Sequence, residues 1–368
     1  MKNIIIGNGI DIQFGGADYT NKNIIERALL NLKNKNFSEE VYTKEIETWI
    51  YTLHSIIPEI LNNEYDQLAV FDYEKSELES FKNNYSTNSE ISDIGFEDYF
   101  LLNELHCRKY RIKNPERFYF QEFLRRLFLD SIYNDGKINE IHKSFPNHIV
   151  EYLKSFKNIF TTNYDRNIET VINNKVLYLH GAFHILSQTY DPNSLRNKLS
   201  DRPFEKYPVI KGYEHTFSTA ITGSSGNFKE FSATQSELAN SGFEKFVNGY
   251  KEDPEIKEKI EAFKNSDDTL IRNIYEVIQL KLNKPDLKFS IDYAINELKK
   301  VQGEITFLGL SPNNDSHIFK IIKDNPSIES IIFYYFQESE QHLICSFFDN
   351  KKVKTKSVKK FWSNNASA

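Results

Sequence analysis

Four short motifs place glycine or polar residues directly after stretches with the pattern of buried strands. They are Gly7-Asn8-Gly9, Thr162-Asn163, His180-Gly181 and Gly309-Leu310-Ser311. Ligands of open α/β sheets bind at the carboxyl ends of the strands, so these positions favour one shared site. Glycines let a backbone turn approach a pyrophosphate, and histidine is the side chain best suited to act as a base near neutral pH. The residue types therefore indicate nucleotide binding combined with acid–base chemistry.

Each motif also has a structural interpretation. Asp11 follows the glycine turn, where its charge would repel a pyrophosphate, so it either caps the next helix or accepts a hydrogen bond from a ribose hydroxyl. Asn163 and Asp165 are also candidates to cap the helix that follows them, as is the serine of the last motif. His184 forms a His-x-x-x-His pair with His180, but a strand end lacks the helical face of zinc-protease motifs. The sequence therefore predicts no metal site.

The pattern around these motifs alternates strands with helices, which is typical of parallel βαβ units. Predicted strands cover residues 3–6, 158–161, 176–179, 305–308 and 330–336, and predicted helices start near Asn21 and cover 164–172 and 315–322. The expected fold is α/β, a Rossmann-like parallel sheet flanked by helices and carrying large, mainly helical insertions.

The elements divide the chain into a discontinuous core and two insertions. Residues 1–40, 157–184 and 303–350 are predicted to form the Rossmann-like core. Residues 41–156 are a predicted helical insertion, with helices at 41–62, 96–108 and 115–134 and a loop near 84–93. Residues 185–302 are predicted as a second insertion or cap, with loops and short strands over 185–235 and helices over 237–300. Residues 351–368 are predicted to form a basic strand and tail.

The bulk composition narrows the class of protein. The chain has 368 residues, 39% of them hydrophobic and 14% aromatic, which predicts a globular protein with a large core. Its two cysteines, Cys107 and Cys345, form neither a disulfide framework nor a four-cysteine zinc site, which favours a reducing, cytoplasmic location. No stretch resembles a signal peptide or a membrane span, so a soluble protein is expected.

A net charge of −6 argues against a general nucleic-acid coat, although residues 351–360 contain six lysines. Lys352, Lys354 and Lys356 alternate with Val353 and Thr355. This alternation favours the solvent-exposed face of an edge strand over a phosphate-binding patch. Nucleic acid is therefore expected to reach this protein only through a partner.

The first motif, read over its full length, resembles the opening motif of sirtuins, Gly-Ala-Gly-Ile-Ser followed four residues later by Gly-Ile-Pro-Asp-Phe-Arg. In register, the matching residues are Gly7, Gly9, Ile10, Gly15, Asp18 and, as an aromatic, Tyr19. The departures are Asn8, Asp11, Ala17 and Thr20. This Gly-Asn-Gly-x-Asp variant is more similar to bacterial sirtuin-like and abortive-infection proteins than to protein deacylases.

Three later motifs resemble the same family in the same order. Thr162-Asn163-Tyr164-Asp165 is similar to the sirtuin Gln-Asn-Ile-Asp motif, His180-Gly181 to the catalytic His-Gly, and Gly309-Leu310-Ser311 to the late Gly-Thr-Ser turn. The resemblance implies that Asn163 orients the nicotinamide ribose and a water, with His180 as general base. It also implies that the dinucleotide contacts Gly7, Asn8, Gly9, Asp11, Asp18, Tyr19, Thr162, Asp165, Gly309 and Ser311. Tyr334 and Tyr335 are candidates to flank the adenine.

The resemblance implies an enzyme that hydrolyses NAD to nicotinamide and ADP-ribose and depletes cellular NAD during phage infection. NAD is then the substrate, and no metal is implied. Relatives of this size are expected to self-assemble or to pair with a HerA-type ATPase. Two alternatives stay open at this stage. One is a non-catalytic regulator that binds NAD or ADP-ribose, and the other is a nuclease or toxin of a defence complex.

Overall fold

Six parallel strands form one sheet at the centre of the protein. The computed structural model describes residues 1–34, 37–200, 203–220, 227–290, 293–312 and 315–363, apart from the side chains of 227, 228 and 231–233. The strands are β1 Lys2–Ile6, β2 Asn158–Thr161, β3 Leu177–Tyr178, β4 Gly303–Leu308, β5 Ile328–Tyr335 and β6 Lys352–Ser357. Their order is β3-β2-β1-β4-β5-β6, the order of doubly wound dinucleotide-binding folds. The predicted α/β class and Rossmann-like sheet are confirmed.

Helices fill the connections between the strands. The α-helices are α1 Gly9–Gly15, α2 Asn21–Asn34, α3 Glu45–Ser55, α4 Ile57–Leu61, α5 Asp72–Asn84, α6 Asp98–Lys109, α7 Glu116–Tyr133, α8 Asn147–Lys154, α9 Asn167–Ile172, α10 Leu195–Lys198, α11 Asn227–Glu252, α12 Pro254–Phe263, α13 Thr269–Asn283, α14 Ile295–Lys299, α15 Ser316–Asp324, α16 Glu338–Phe347 and α17 Val358–Trp362. Short 3-10 helices cover Ala17–Tyr19, Asp66–Leu68, Ile91–Asp93, Asn134–Ser144, Gln188–Tyr190 and Glu214–Phe217. Among all of the described helices, none is long and apolar enough to cross a bilayer.

Both faces of the sheet are buried, as expected for a parallel sheet covered by helices. Successive side chains of a strand point to opposite faces. Ile4 and Ile6 of β1 therefore join the core that includes the helices of residues 41–156, while Ile5 joins a second core with Phe307 and Phe333. The continuous β-branched run of β1 is thus explained by burial on both sides.

The two insertions relate to the sheet differently. Helices α3 to α8 share one continuous hydrophobic core with the first face of the sheet. The helices α10 to α13 instead form a smaller core of their own, built around Leu195, Phe243, Ile260 and Val277. Part of the region 185–302 therefore has its own packing centre, whereas Ile295 and Leu298 of α14 join the core on the second face of the sheet.

The sequence located some elements well and others poorly. The predicted helices at 96–108 and 115–134 match α6 and α7, while the one at 41–62 is divided into α3 and α4 ahead of Pro58. The short strands expected over 185–235 are wrong for the described part of that stretch. It holds one isolated bridge between Leu186 and Ser218, and α11 already begins at Asn227. Residues 201–202 and 221–226 of that stretch, and the tail from 364, lie outside the described residues.

The lysine-rich segment is an edge strand, as the alternation predicted. β6 pairs with β5 on one side only, and it is the last strand in the sheet order. Lys352, Lys354 and Lys356 are exposed, whereas Val353 and Thr355 are half-buried against α16 and the sheet. Exposed lysines on an edge strand disfavour pairing with another chain.

Candidate functional site

A cleft with a volume of about 810 Å³ opens at the carboxyl ends of β1 and β4, where the strand order reverses. Open α/β sheets bind ligands at such a point, and the volume lies within the range of about 300–1,000 Å³ for small-molecule sites. Residues of all four sequence motifs line the cleft: Asn8, Gly9, Asp11, Tyr19, Thr162, Asn163, His180, Gly309 and Ser311. Chain segments about 300 residues apart in the sequence therefore meet at one site.

The glycines of the first turn allow two turns to touch. Gly9 donates its N–H to the carbonyl oxygen of Gly309 at 2.9 Å, and Gly7 donates to Leu308 at 3.0 Å. A Cβ atom on Gly9 would lie 2.7 Å from the Cα atom of Gly309. The sequence predicted that these N–H groups face a pyrophosphate. The N–H groups of Gly7 and Gly9 are instead used within the protein, and the glycines are required by the close approach of the turns after β1 and β4.

Asn163 is held by two neighbours at the base of the cleft. Its backbone N–H donates to Thr161 Oγ1 at 3.0 Å, and its Nδ2 donates to Asp11 Oδ2 at 2.8 Å. The side-chain oxygen Oδ1 is buried and has no hydrogen-bond partner among the described residues. A buried acceptor without a donor is unfavourable, so a hydroxyl or water that reached this oxygen would gain a hydrogen bond.

Asp11 and Asp165 form a buried pair of carboxyl groups below Asn163. Burial, followed by the negative charge of Asp165, raises the pKa of Asp11 well above its usual range, and burial also raises the pKa of Asp165. One oxygen of each, Asp11 Oδ1 and Asp165 Oδ2, lacks a donor among the described residues. Two such carboxyl groups are most stable when they share one proton. The pair therefore supports Asn163 without placing two negative charges beneath the cleft.

Helix capping was the structural interpretation of both acids, and the structure supports it for Asp165 but not for Asp11. Asp165 Oδ1 accepts the backbone N–H of Asn167 at 2.7 Å, so Asp165 caps the start of α9 and does not line the cleft. Asp11 instead lies inside α1, lines the cleft and accepts from Asn163, so it is not a helix cap.

His180 faces a second histidine that the sequence did not reveal. Its Nε2 atom lies 3.0 Å from Nε2 of His317, and 3.9 Å from Asp315 Oδ1. Burial, followed by the charge of Lys229, lowers the pKa of His180 well below its usual value. Burial also lowers the pKa of His317, to about 3, so both imidazoles are neutral and one Nε2–H donates to the other Nε2. The only sequence signal for this contact is the spacing Asp315-x-His317 after a strand end.

A buried ion pair forms another wall of the cleft. Lys229 is 3% exposed, and its ammonium contacts the carboxylate of Glu97. Burial alone lowers the pKa of Lys229, but Glu97 and Asp315 together raise it above its usual value. The ammonium therefore stays charged and offers the cleft a fixed cation.

Several other predicted residues lie elsewhere. Asp18 is exposed, is 3.9 Å from Arg27 and does not line the cleft, so its predicted contact with the dinucleotide has no support in the geometry. Tyr334 lines the cleft, whereas Tyr335 is packed against the core on the other face of the sheet. Neighbouring residues of a strand face opposite ways, so these two tyrosines do not flank one ring. His184 is exposed and does not meet His180.

Glu77 of α5 lies near Glu97 and Asp98, which line the cleft, and its carboxylate oxygens have no partner among the described residues. Burial and the nearby charges of Asp98 and Glu97 raise the pKa of Glu77 to about 8. Between pH 4.5 and 8 the folded state keeps a proton that the unfolded state loses, so stability falls as pH rises, by about 1.4 kcal/mol per pH unit at most. We expect Glu77→Gln to remove this loss, raising the free energy of unfolding in urea at pH 8 but not at pH 4.5. The exposed neighbour Glu79→Gln is the control, and parallel pH profiles for wild type and Glu77→Gln would contradict the expectation.

The site thus combines an amide with a free acceptor, a neutral histidine pair, a buried ammonium and two glycine turns. Comparisons with protein-family models, with curated protein sequences and with solved structures found no match for this chain.

Proposed function

We propose that the protein is a sirtuin-like NAD glycohydrolase that cleaves NAD to nicotinamide and ADP-ribose. The observation that carries the proposal is the meeting of Asn163, His180 and the first glycine turn in one cleft at the switch point of a Rossmann-like sheet. Dinucleotides bind at this point in such folds. The proposal needs this convergence. If the imidazole lay on the opposite side of the sheet from the glycine turn, the motifs could not bind the same dinucleotide.

Asn163 would hold the ribose next to the bond that breaks. Nicotinamide leaves NAD as a neutral molecule, and positive charge develops at C1′ of the ribose as the bond lengthens. Because Asp11 Oδ2 accepts from Nδ2 of Asn163, the amide is fixed with Oδ1 as its free acceptor. A ribose hydroxyl or the attacking water would donate to Oδ1 and be oriented by it. Asp11 is then a positioning residue.

His180 would act as the general base. In the tautomer in which His180 Nε2–H donates to His317 Nε2, the lone pair of His180 lies on Nδ1 and accepts a proton from water or a ribose hydroxyl. Neutrality is required for this role, and burial keeps the imidazole neutral.

Lys229 would provide the charge that the glycine turn does not. A dinucleotide carries two negative charges on its diphosphate, and Lys229 is a buried ammonium that lines the cleft. The carboxylate of its partner Glu97 keeps the ammonium charged and balances its positive charge. Ser311 also lines the cleft and has a hydroxyl suited to a phosphate oxygen.

The cellular role that follows is an antiphage effector that depletes the cytoplasmic NAD pool in abortive infection. Such an effector must be silent before infection, so we infer control by assembly, either by self-association or with a HerA-type ATPase. Exposed apolar side chains on the first insertion, Val70, Phe71 and Tyr110, offer a contact surface for this assembly.

Product analysis tests the proposal. Purified protein is incubated with NAD, alone and with a HerA-type ATPase, and the products are separated by chromatography. We expect nicotinamide and ADP-ribose in equal amounts, strongly reduced in Asn163→Ala and unchanged in Asn174→Ala, which alters an exposed residue. Intact NAD under both conditions would defeat the proposal. Binding without turnover would favour the regulatory alternative, and divalent-metal-dependent loss of DNA or RNA would favour a nuclease.

A further inference from the structure

Three buried side chains from two different parts of the chain lie close together at the cleft. His180 follows β3, while Asp315 and His317 lie at the start of α15. One ligand atom from each can be chosen so that all three lie within 4.8 Å of one another. His180 and His317 are 2% and 1% exposed, and Asp315 is 9% exposed. His180 and Asp315 line the cleft, which leaves the cluster accessible from one side.

Two of the distances within this cluster fit ligands of a single metal ion. Two ligands about 2.1 Å from one ion lie about 3.0 Å apart when they are adjacent at right angles, and at most about 4.2 Å apart when they are opposite. The two Nε2 atoms are 3.0 Å apart, and His180 Nε2 lies 3.9 Å from Asp315 Oδ1. Both distances lie within this span. The ion would replace the proton that the two imidazoles share.

The donor set selects the chemical class of the ion. Two imidazole nitrogens and one carboxylate suit a divalent transition metal such as zinc, cobalt, nickel or manganese, whereas magnesium and calcium prefer oxygen donors. The nearby ammonium of Lys229 opposes a cation, but Glu97 forms an ion pair with it. The carboxylate of Asp315 is then the charge that favours the ion.

We propose that His180, Asp315 and His317 form a binding site for one divalent transition-metal ion, open towards the cleft. The effect of this ion on activity rests on the proposed NAD glycohydrolase. In that enzyme the ion would bind Nε2 of His180 and leave the proton on Nδ1. His180 then has no lone pair for a substrate proton, so the metal inhibits the enzyme.

Metal binding is measured first and without NAD. Chelator-treated protein is dialysed against Co²⁺ or Zn²⁺, and bound metal is counted by elemental analysis, with the visible absorption of Co²⁺ as a second readout. We expect one equivalent in wild type and at least a tenfold loss of affinity in His317→Gln and Asp315→Asn, which preserve side-chain size. His184→Gln, at an exposed position, is the control and keeps full binding. Circular dichroism verifies that each variant is folded. Equal binding by wild type and His317→Gln would overturn the site.

Nicotinamide release with added metal then tests the second step. We expect release by metal-free wild type to fall at least tenfold when one equivalent of Zn²⁺ is bound, and to return on chelation. Release that is unchanged or faster with bound metal overturns inhibition. If metal-free protein releases no nicotinamide, either alone or with the HerA-type ATPase, but binds one equivalent at these residues, the proposed function and its inhibition fail while the metal site stands. If release occurs without specific binding, the metal site alone fails.

Discussion

Replacing His180 with alanine is expected to slow nicotinamide release by about 10²- to 10⁴-fold while leaving NAD affinity within a few-fold of wild type. General-base assistance typically contributes a rate factor of this size. The substitution removes the base but leaves Lys229, Gly9 and Gly309, which also line the cleft, unaltered. Turnover is measured by chromatography of nicotinamide, and affinity by calorimetry with ADP-ribose, which cannot release nicotinamide.

The control for this prediction is His184→Ala. His184 is exposed and lies four residues further along the chain, so it tests whether any nearby histidine has the same effect. Its turnover is expected to equal that of wild type. A His180→Ala variant within twofold of wild type would contradict the catalytic role, and a matching loss of ADP-ribose binding would indicate a binding role instead.

Replacing Gly181 with alanine is expected to lower the free energy of unfolding by about 3–5 kcal/mol. Gly181 has a φ of 78°, a left-handed conformation that costs an L-residue about 1–2 kcal/mol. A Cβ atom there would also lie 2.2 Å from the carbonyl oxygen of Thr219, which is backbone and cannot rotate away. The measurement is urea unfolding followed by circular dichroism.

Gly212→Ala separates the two causes of this loss. Gly212 has a φ of 87°, but a Cβ atom there meets nothing within 4 Å among the described residues. The control variant is therefore expected to lose only the conformational cost of about 1–2 kcal/mol. Equal losses in the two variants would show that contact with Thr219 does not constrain Gly181, and so does not fix the position of His180.

Strand ends were the part of the site that the sequence predicted best. Short β-branched runs such as residues 3–6 and 158–161 are local signals, and the residues after them meet at the same edge of any parallel sheet. This reasoning predicted that Asn163 and His180 lie at the same edge of the sheet, and both line the cleft. The actual pairing of β1 with β4 also explains why Gly9 is needed, which the sequence attributed to a pyrophosphate.

Contacts between distant side chains were beyond the reach of the sequence. His317 is 137 residues from His180, on a helix whose buried residues are mostly apolar. The pairing of Asp11 with Asn163 likewise depends on β1 and β2 being neighbours. Local propensity carries no information about strand order, so neither contact could be predicted.

The position of β1 has a consequence for how the protein is made. Its partners β2 and β4 lie about 150 and 300 residues further along the chain, which gives the central pairing a high contact order. A nascent chain that already contains Asn163 and His180 still lacks the wall formed by Gly309 and Ser311 until synthesis has passed those two residues. The proposed NAD glycohydrolase would therefore remain inert until the turn after β4 had joined the turn after β1.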